Sequence, residues 1–384
     1  MQFKLKNIAV IALAVSGLLA LAFLPSLANK YYGRQLGIIT GKILKTANTA
    51  GLTEARYYQK IDNNFVQCDL CPNRCVLADQ QIGLCKARQN LGGVLYSLVY
   101  GRPATIHLDP IEKKPLFHFR PGTTAYSLAT TGCNLSCLNC QNWDISQSFP
   151  NQTSGEMRTP ADIASEALTA QAEVIAFTYN EPVIFYEYML DIAKVAREQS
   201  IKTVMISNGY ISQGPLNELL PFLDGVKIDL KGFTEEFYRK ITGGRLAPVL
   251  ETIKSVRQAG KHLEIVYLLI PGENDSEKEI AAMAKWLMEN IGPDAILHFS
   301  RFYPQYKMAN QPPTPVETVK RAREIALRSG LRYVYTGNID FPPGEATYCA
   351  DGSTAIERRG YFIEKSTLVK GVCPDGSLIP GVWE

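Results

Sequence analysis

The chain has 384 residues, 46% of them hydrophobic, with 29 Gly, 22 Pro and nine Cys, which suits one large domain with appendages or two ordinary domains and excludes disordered, collagen-like and small disulfide-scaffold classes. Nine Cys lies far below the roughly 8–10% of a disulfide-stapled mini-protein, and the odd count leaves at least one thiol outside any all-disulfide scheme. The formal charge of +3 comes from the N-terminus, where Lys4, Lys6, Lys30, Arg34, Lys42 and Lys45 meet no acid; the remainder has a slight acidic excess and lacks the clustered Lys and Arg that nucleic-acid binding needs.

The uncharged apolar run from Ile8 to Leu24 is near the lower limit of the roughly 17–25 residues that span a bilayer. Residues 1–28 therefore read as a membrane anchor or a signal segment. Lys4 and Lys6 before the run and the small-x-small Ser26-Leu27-Ala28 suit a cleaved signal. The basic flank Lys30, Arg34, Lys42 and Lys45 suits an uncleaved anchor with the body on the cytoplasmic side. Residues 29–60, polar and without an apolar period, read as a tether. Residues 61–115 form a Cys-rich N-terminal segment in which Cys68, Cys71, Cys75 and Cys85 supply four thiols within 18 residues. That number closes a zinc site or ligates an iron–sulfur cluster completely; reduced thiols without metal are the third reading.

From residue 116 short β-rich apolar runs alternate with helical patterns. Strands are expected at 125–130, 173–178, 202–206, 225–230, 262–270, 295–299 and 332–336. Thr159-Pro160 opens one helix as N-cap and first-turn proline, residues 183–199 form another, Ser276 with Glu279 makes a capping box for a third, and Thr314-Pro315 opens the last. Over residues 116–340 this predicts an α/β fold, a partial (β/α)6-type barrel with functional residues at the C-terminal ends of its strands; an open doubly wound sheet is the alternative. Asp229 and Lys231 alternate with Ile228 and Leu230, so both charged heads share one strand face, expected to be the interior. Residues 341–384, with Cys349 and Cys373, form a short C-terminal appendage.

Directly after the first of these strands comes Thr131-Gly132-Cys133-Asn134-Leu135-Ser136-Cys137-Leu138-Asn139-Cys140-Gln141-Asn142-Trp143. Three thiols spaced C-x3-C-x2-C on one short loop can wrap a [4Fe–4S] cube, which normally takes four thiolates. Three leave one iron open to chelate the amino and carboxylate groups of a methionine. Structural zinc wants four closed ligands, and the loop holds no fourth. The spacing, the position and the following Asn142-Trp143 resemble the radical S-adenosylmethionine superfamily. The run DPIEKKPLFHFRPG from Asp109, the stretches Phe177 to Pro182, Ser207 to Tyr210, Asp229 to Lys231, Leu269 to Asp275, His298 to Phe302 and Tyr333 to Asn338, and the closing Gly381-Val382-Trp383 extend that likeness. Together they are similar to the AmmeMemoRadiSam-system radical enzyme, a relative of pyruvate formate-lyase activating enzymes.

The resemblance implies a radical SAM barrel whose Cys133, Cys137 and Cys140 hold a [4Fe–4S] cluster beside S-adenosylmethionine. Its implied activity is reductive cleavage of that molecule and hydrogen abstraction from an unidentified protein or small-molecule substrate, with electrons from a flavodoxin- or ferredoxin-like donor. The Ser-Gly-Gly-Glu that meets the methionine amino group in activating enzymes is matched by Thr178, Tyr179, Asn180 and Glu181. Glu181 is thus expected to accept from the ammonium, with Asn180 offering an amide oxygen where the glycines are missing. Ser207 or Asn208 is expected on the ribose hydroxyls or the methionine carboxylate, and Asp229 and Lys231 at the methionine end or ribose. Candidate substrate-side groups are His118, Tyr179, Glu264, His298, Arg301 and Tyr303. Cys349 and Cys373 each resemble half of a Cys-x2-Cys-Gly knuckle, so they are expected as packing residues or a redox pair. A glycyl-radical activase is the alternative within the class, and a zinc-stabilised non-catalytic binding protein the alternative outside it. The oxidant sensitivity of such a cluster favours the uncleaved anchor and a cytoplasmic body.

Overall fold

The computed structural model describes residue 49, residues 51–153 and residues 155–384. The anchor-or-signal segment 1–28 and most of the tether lie outside them. Among the described residues no helix is long and apolar enough to cross a membrane.

Eight strands form the central sheet: β1 (Thr105–Pro110), β2 (Thr124–Ala129), β3 (Val174–Phe177), β4 (Lys202–Ser207), β5 (Gly225–Asp229), β6 (His262–Leu269), β7 (Ile296–Arg301) and β8 (Tyr333–Gly337). They lie side by side in chain order. From β2 to β8 every pairing is parallel, while β1 runs antiparallel to β2. The longest helix in each parallel connection is α1 (Pro160–Thr169), α2 (Tyr186–Glu198), α3 (Gln213–Leu219), α4 (Leu246–Gln258), α5 (Glu277–Asn290) and α6 (Val316–Arg328), with shorter helical turns in several of the connections. A strand order without reversal is that of a curling barrel wall, whereas a doubly wound sheet reverses at its switch point. The wall stays open between its edges, β1 and β8.

The seven expected strands each coincide with an observed one to within one or two residues, but β1 falls inside the segment expected to be merely Cys-rich. Its sequence, Thr-Ile-His-Leu-Asp-Pro, is half exposed along an edge and carries no apolar run to betray it. The boundary placed at residue 60 also moves. Thr53–Glu54 pairs with Val94–Ser97, and Tyr58–Ile61 pairs with Phe65–Cys68, so the chain has entered the folded body by Thr53. Tyr57 anchors the entry, its ring edge-on to Tyr186 at 5.4 Å.

Helix starts follow local chemistry only in part. Thr159 and Asp162 close the full capping box. Ser276 accepts from Glu279 N at 3.3 Å, yet the Glu279 carboxylate turns to Phe233 N and the Tyr267 hydroxyl at 2.7 and 2.8 Å, leaving half a box. Thr314 caps nothing: its hydroxyl donates to Leu269 O at 2.6 Å and accepts from Phe302 N at 3.2 Å. It staples the ends of β6 and β7 and leaves α6 without a side-chain cap.

Strand alternation sends Val226, Ile228, Ile265 and Tyr267 against the helices and Lys227, Asp229, Val266 and Leu268 toward an interior cavity. Toward the strand N-termini the interior is filled by the segment between β1 and β2, whose Ile111, Leu116 and Phe119 pack with Ala125, Val174, Ala176, Val204 and Ile206. A Cβ at Gly225 would stand 3.0 Å from the Phe119 ring, so glycine makes room for the plug. The appendage packs Cys349, Ala355, Cys373 and Ile379 on Phe117, Ile296, Tyr333 and Tyr335. Cys349 and Cys373 are joined in a disulfide, which consumes both sulfurs as thiolate ligands.

Glu264, on β6, fixes the plug. Its carboxylate accepts from Phe117 N and His118 N at 3.0 and 2.8 Å and meets ring nitrogens of His262 and His298 at 2.9 and 2.6 Å. Burial opposes its ionisation, but the bonds from the two histidines outweigh burial and hold the carboxyl well below its ordinary range. His298 is itself pushed down by burial against the pull of Glu264, so it serves as a neutral donor. Replacing Glu264 by Ala strips four donors of their acceptor and is expected to cost about 3–5 kcal/mol, read from the urea midpoint. A depressed carboxyl contributes its stability above the unfolded glutamate pKa of about 4.3 and loses it as pH falls below that value. The midpoint of the wild type should therefore fall more steeply in acid than that of Glu264→Ala.

Candidate active site

The cavity inside the barrel measures about 1480 Å³, larger than the roughly 300–1,000 Å³ of a single-ligand pocket. At the C-terminal ends of the strands its wall includes Cys133, Cys137 and Cys140 on the loop after β2; across it stand Asp229, Lys231, Arg301 and Tyr303, and the appendage contributes Arg358 and Tyr361.

The cysteine loop is held from several sides. Asn134 donates to Tyr210 O at 2.7 Å and accepts from Asn208 Nδ2 at 2.9 Å. Ser136 N and Leu138 N bond Thr242 O and Ile241 O, each at 2.9 Å, and the Cys140 sulfur lies 3.1 Å from the Ser146 hydroxyl. Gly132, just before Cys133, has φ +107°, and a Cβ there would come within 2.2 Å of Cys85 O; only glycine lets the Cys-rich segment pack this closely on the loop. Burial pushes the Cys133 thiol well up, helped by the Glu181 charge. Burial also raises Cys137, which the Lys231 ammonium draws back to about 11. Coordination to a cation reverses this, because a metal takes the thiolate outright.

Of the six side chains expected on S-adenosylmethionine, four reach the cavity and two do not. Asn180, Asn208, Asp229 and Lys231 line it. Glu181 is fully buried behind the wall: its carboxylate accepts from Val183 N and the Ser207 hydroxyl at 3.0 and 2.8 Å and from Asn208 N at 2.7 Å. Neither Glu181 nor Ser207, both expected on S-adenosylmethionine, lines the cavity, and the Ser207 hydroxyl is given to Glu181. Burial lifts the Glu181 pKa to about 7 against those hydrogen bonds. Asn180 behaves differently. Its Nδ2 donates to Thr130 O and, at 2.7 Å, to Gly132 O, while its Oδ1 is buried without a partner.

Two groups of charge stand at the cavity: Asp229 and Lys231, expected from the sequence, are joined by Lys227, and Lys113 and Lys114 form the second. Lys227 bonds Asp229, whose other oxygen takes Lys231 at 2.9 Å. Burial opposes ionisation of Asp229, but the two ammoniums hold its carboxyl far below the usual range. The two-residue period of Lys227, Asp229 and Lys231 was the signal that finds this triad. Asp109, at the end of β1, takes Lys113 at 2.7 Å, Lys114 at 2.5 Å and the Tyr179 hydroxyl; burial lowers the Lys114 pKa to about 8 despite this partner.

Among the substrate-side candidates Tyr179, His298, Arg301 and Tyr303 line the cavity. His118 and Glu264 belong to the floor: His118 is fully buried, its ring nitrogens bonded to Pro380 O at 2.7 Å and the Tyr335 hydroxyl at 2.5 Å. Tyr179 has φ +64°, and Asn180 N bonds back to Thr178 O at 2.9 Å, a strained three-residue turn. The chain keeps a glycine-like backbone at this place with a tyrosine, held by Asp109 on its hydroxyl and Lys114 over its ring at 4.4 Å.

The donor set suits a four-iron cluster. Among the described residues the ligand atoms of Cys349, Cys373 and Asp375 alone gather as a trio within 4.8 Å of one another, so the three loop sulfurs stand too far apart for a single ion. In a cube each thiolate takes a different iron. Asn180 lines the cavity, and its Oδ1, enclosed by protein, is an acceptor left without a partner.

Residues 127–284 match the Radical SAM superfamily. An uncharacterized protein of Methanocaldococcus jannaschii is 43% identical over 308 residues, covering 80% of this chain and 92% of that protein. The pyruvate formate-lyase 1-activating enzyme of Escherichia coli is 22% identical over 222 residues, covering 53% of this chain and 89% of the enzyme. Among solved structures, a radical SAM methyltransferase from Sphaerobacter thermophilus aligns with a TM-score of 0.45 at 15% identity, over 58% of this chain and 69% of the other. The chain belongs to the radical SAM superfamily, whose members bind a [4Fe–4S] cluster and S-adenosylmethionine.

The strain at Tyr179 is testable. Tyr179→Gly and Tyr179→Ala lose the same ring and hydroxyl, but only glycine relaxes at positive φ, so the glycine variant should be the more stable by about 1 kcal/mol in chemical denaturation.

Proposed function

We propose that this chain cleaves S-adenosylmethionine reductively at Cys133, Cys137 and Cys140 and abstracts hydrogen from a second molecule held in the same cavity. The observation that carries the reading is the meeting of three loop thiols with Asn180, Asn208, Asp229 and Lys231 around one barrel-mouth cavity. When bound, the cluster and S-adenosylmethionine supply one-electron cleavage of a sulfonium carbon–sulfur bond and, from it, a 5′-deoxyadenosyl radical. The chain's own groups bind and orient. Asn180 Oδ1 accepts from the methionine ammonium. Asn208, tied to Asn134, keeps the cluster loop against the end of β4. Asp229, doubly neutralised, presents a fixed carboxylate to the ribose, with Lys231 beside it toward the methionine carboxylate.

The volume left over supports a second ligand, and Arg301, Tyr303 and Arg358 give it cationic and aromatic contacts. The substrate is a protein segment or a small molecule, and a flavodoxin- or ferredoxin-like donor supplies the electron. The motifs spread from Asp109 to Trp383 support placement with the AmmeMemoRadiSam-system enzymes.

Anaerobically reconstituted protein given strong reductant and S-adenosylmethionine should release 5′-deoxyadenosine, and Cys137→Ala should release none; product from that variant would sink the assignment. Asn180→Ala removes the proposed hydrogen bond to a charged group, worth about 1.5–3 kcal/mol, together with the Nδ2 bonds to Thr130 O and Gly132 O. It should weaken S-adenosylmethionine binding about 10–100-fold in calorimetry while the iron content stays at the wild-type level.

A further inference from the structure

We propose that Cys68, Cys71, Cys75 and Cys85 hold a second, fully ligated four-iron cluster beside the catalytic loop. All four sulfur-bearing residues line one small cavity whose other walls are largely apolar: Leu70, Leu77, Val183 and Ile184. Local turns bring them there. Cys68 N bonds Cys75 O at 2.9 Å, Arg74 N bonds Cys71 O at 3.1 Å, and Lys86 N bonds Gly83 O at 2.9 Å. The thiols are free.

Sulfur spacing separates iron–sulfur from zinc. A tetrahedral zinc with Zn–S bonds of about 2.3 Å brings its sulfurs within about 3.8 Å of each other. Here, among the described residues, no three of these four sulfurs fall within 4.8 Å of one another. Four thiolates around a cube each hold their own iron and stand apart in this way.

The surroundings suit the net negative charge of a thiolate-ligated cluster. Arg88, 1% exposed, lines the same cavity and directs Nη1 to the Cys68 sulfur at 3.8 Å. Its Nη2 is fixed by Glu187 at 2.5 Å, and its Nε is buried with no partner. A cationic donor left partly unsatisfied beside four buried thiols is costly unless something anionic occupies the space.

Position gives this cluster its role. Asn134, which follows the catalytic Cys133, is itself part of the cavity wall, and Asn73 Nδ2 bonds Asn134 O at 2.7 Å. Cys85 O lies against Gly132. With every iron capped by a cysteine, this cluster offers no place to a substrate; it passes single electrons from the protein donor toward the catalytic loop.

The full chain with Cys133→Ala, Cys137→Ala and Cys140→Ala together removes the catalytic cluster, so its metal content is independent of the function proposed above. Reconstituted anaerobically with ferrous iron and sulfide and then desalted, it should retain about four irons and four sulfides per chain and show a paramagnetic signal on reduction. Stoichiometric zinc, or no iron, would overturn the proposal. Should the triple variant fail to fold, Cys71→Ala in the otherwise intact chain decides. Iron should fall from about eight to about four per chain; a wild type at about four with Cys71→Ala unchanged refutes the second cluster.

Discussion

The Glu181 carboxylate, fully buried at the mouth end of β3, is the point to which the cluster loop is tied. One oxygen takes Val183 N and the Ser207 hydroxyl, the other takes Asn208 N, so the ends of β3 and β4 are locked together through a single side chain. Asn208 then passes the constraint on through Asn134 to the loop that carries Cys133. A burial that lifts the carboxyl toward neutrality is tolerated because every lone pair it needs is satisfied by a donor, the condition on which buried polar networks are stabilising at all. The ends of β3 and β4 and the cysteine loop consequently share one hydrogen-bonded frame.

The barrel floor applies the same physics with different residues. Glu264 collects two backbone amides of the plug and two histidine rings, and the appendage closes over His118 and Tyr335. The chain has four histidines, and His118 and His298 are candidates for chemistry on the sequence alone. Three of the four stand instead on or around the floor network. Only His298 also reaches the cavity, and it does so as a donor already committed to Glu264.

What could be read from the chain beforehand was what depends on near neighbours. Parallel strands reveal themselves as short apolar runs, and Thr159 announces a helix because its partner Asp162 is three residues away. The cysteine triplet is legible because all three ligands sit on one loop. Most departures from the sequence reading concern contacts across long sequence separations. Glu181 and Ser207 occupy motif positions, yet strand alternation turns Ser207 from the face shared by Ile206 and Asn208, both of which line the cavity, and nothing local shows that it turns toward Glu181. Asp109 meets Tyr179 only because an edge strand with no hydrophobic signature lies down antiparallel on β2. Lys227 is the local exception: the period of two in its own strand puts it on the same face as Asp229 and Lys231.

The appendage is the last of the described segments to be synthesised. Arg358 and Tyr361, which wall the cavity on one side, lie more than two hundred residues after the cysteine loop. Domains form from the N-terminal side as a chain emerges at roughly 5–20 residues per second, so the loop is made about 11–44 seconds, and the last barrel strand about 1–4 seconds, before that wall exists. During this interval the chamber lacks a side. Whatever must enter it and stay, once Cys349 and Cys373 have drawn the last segment into place, has its widest door while the protein is still being built.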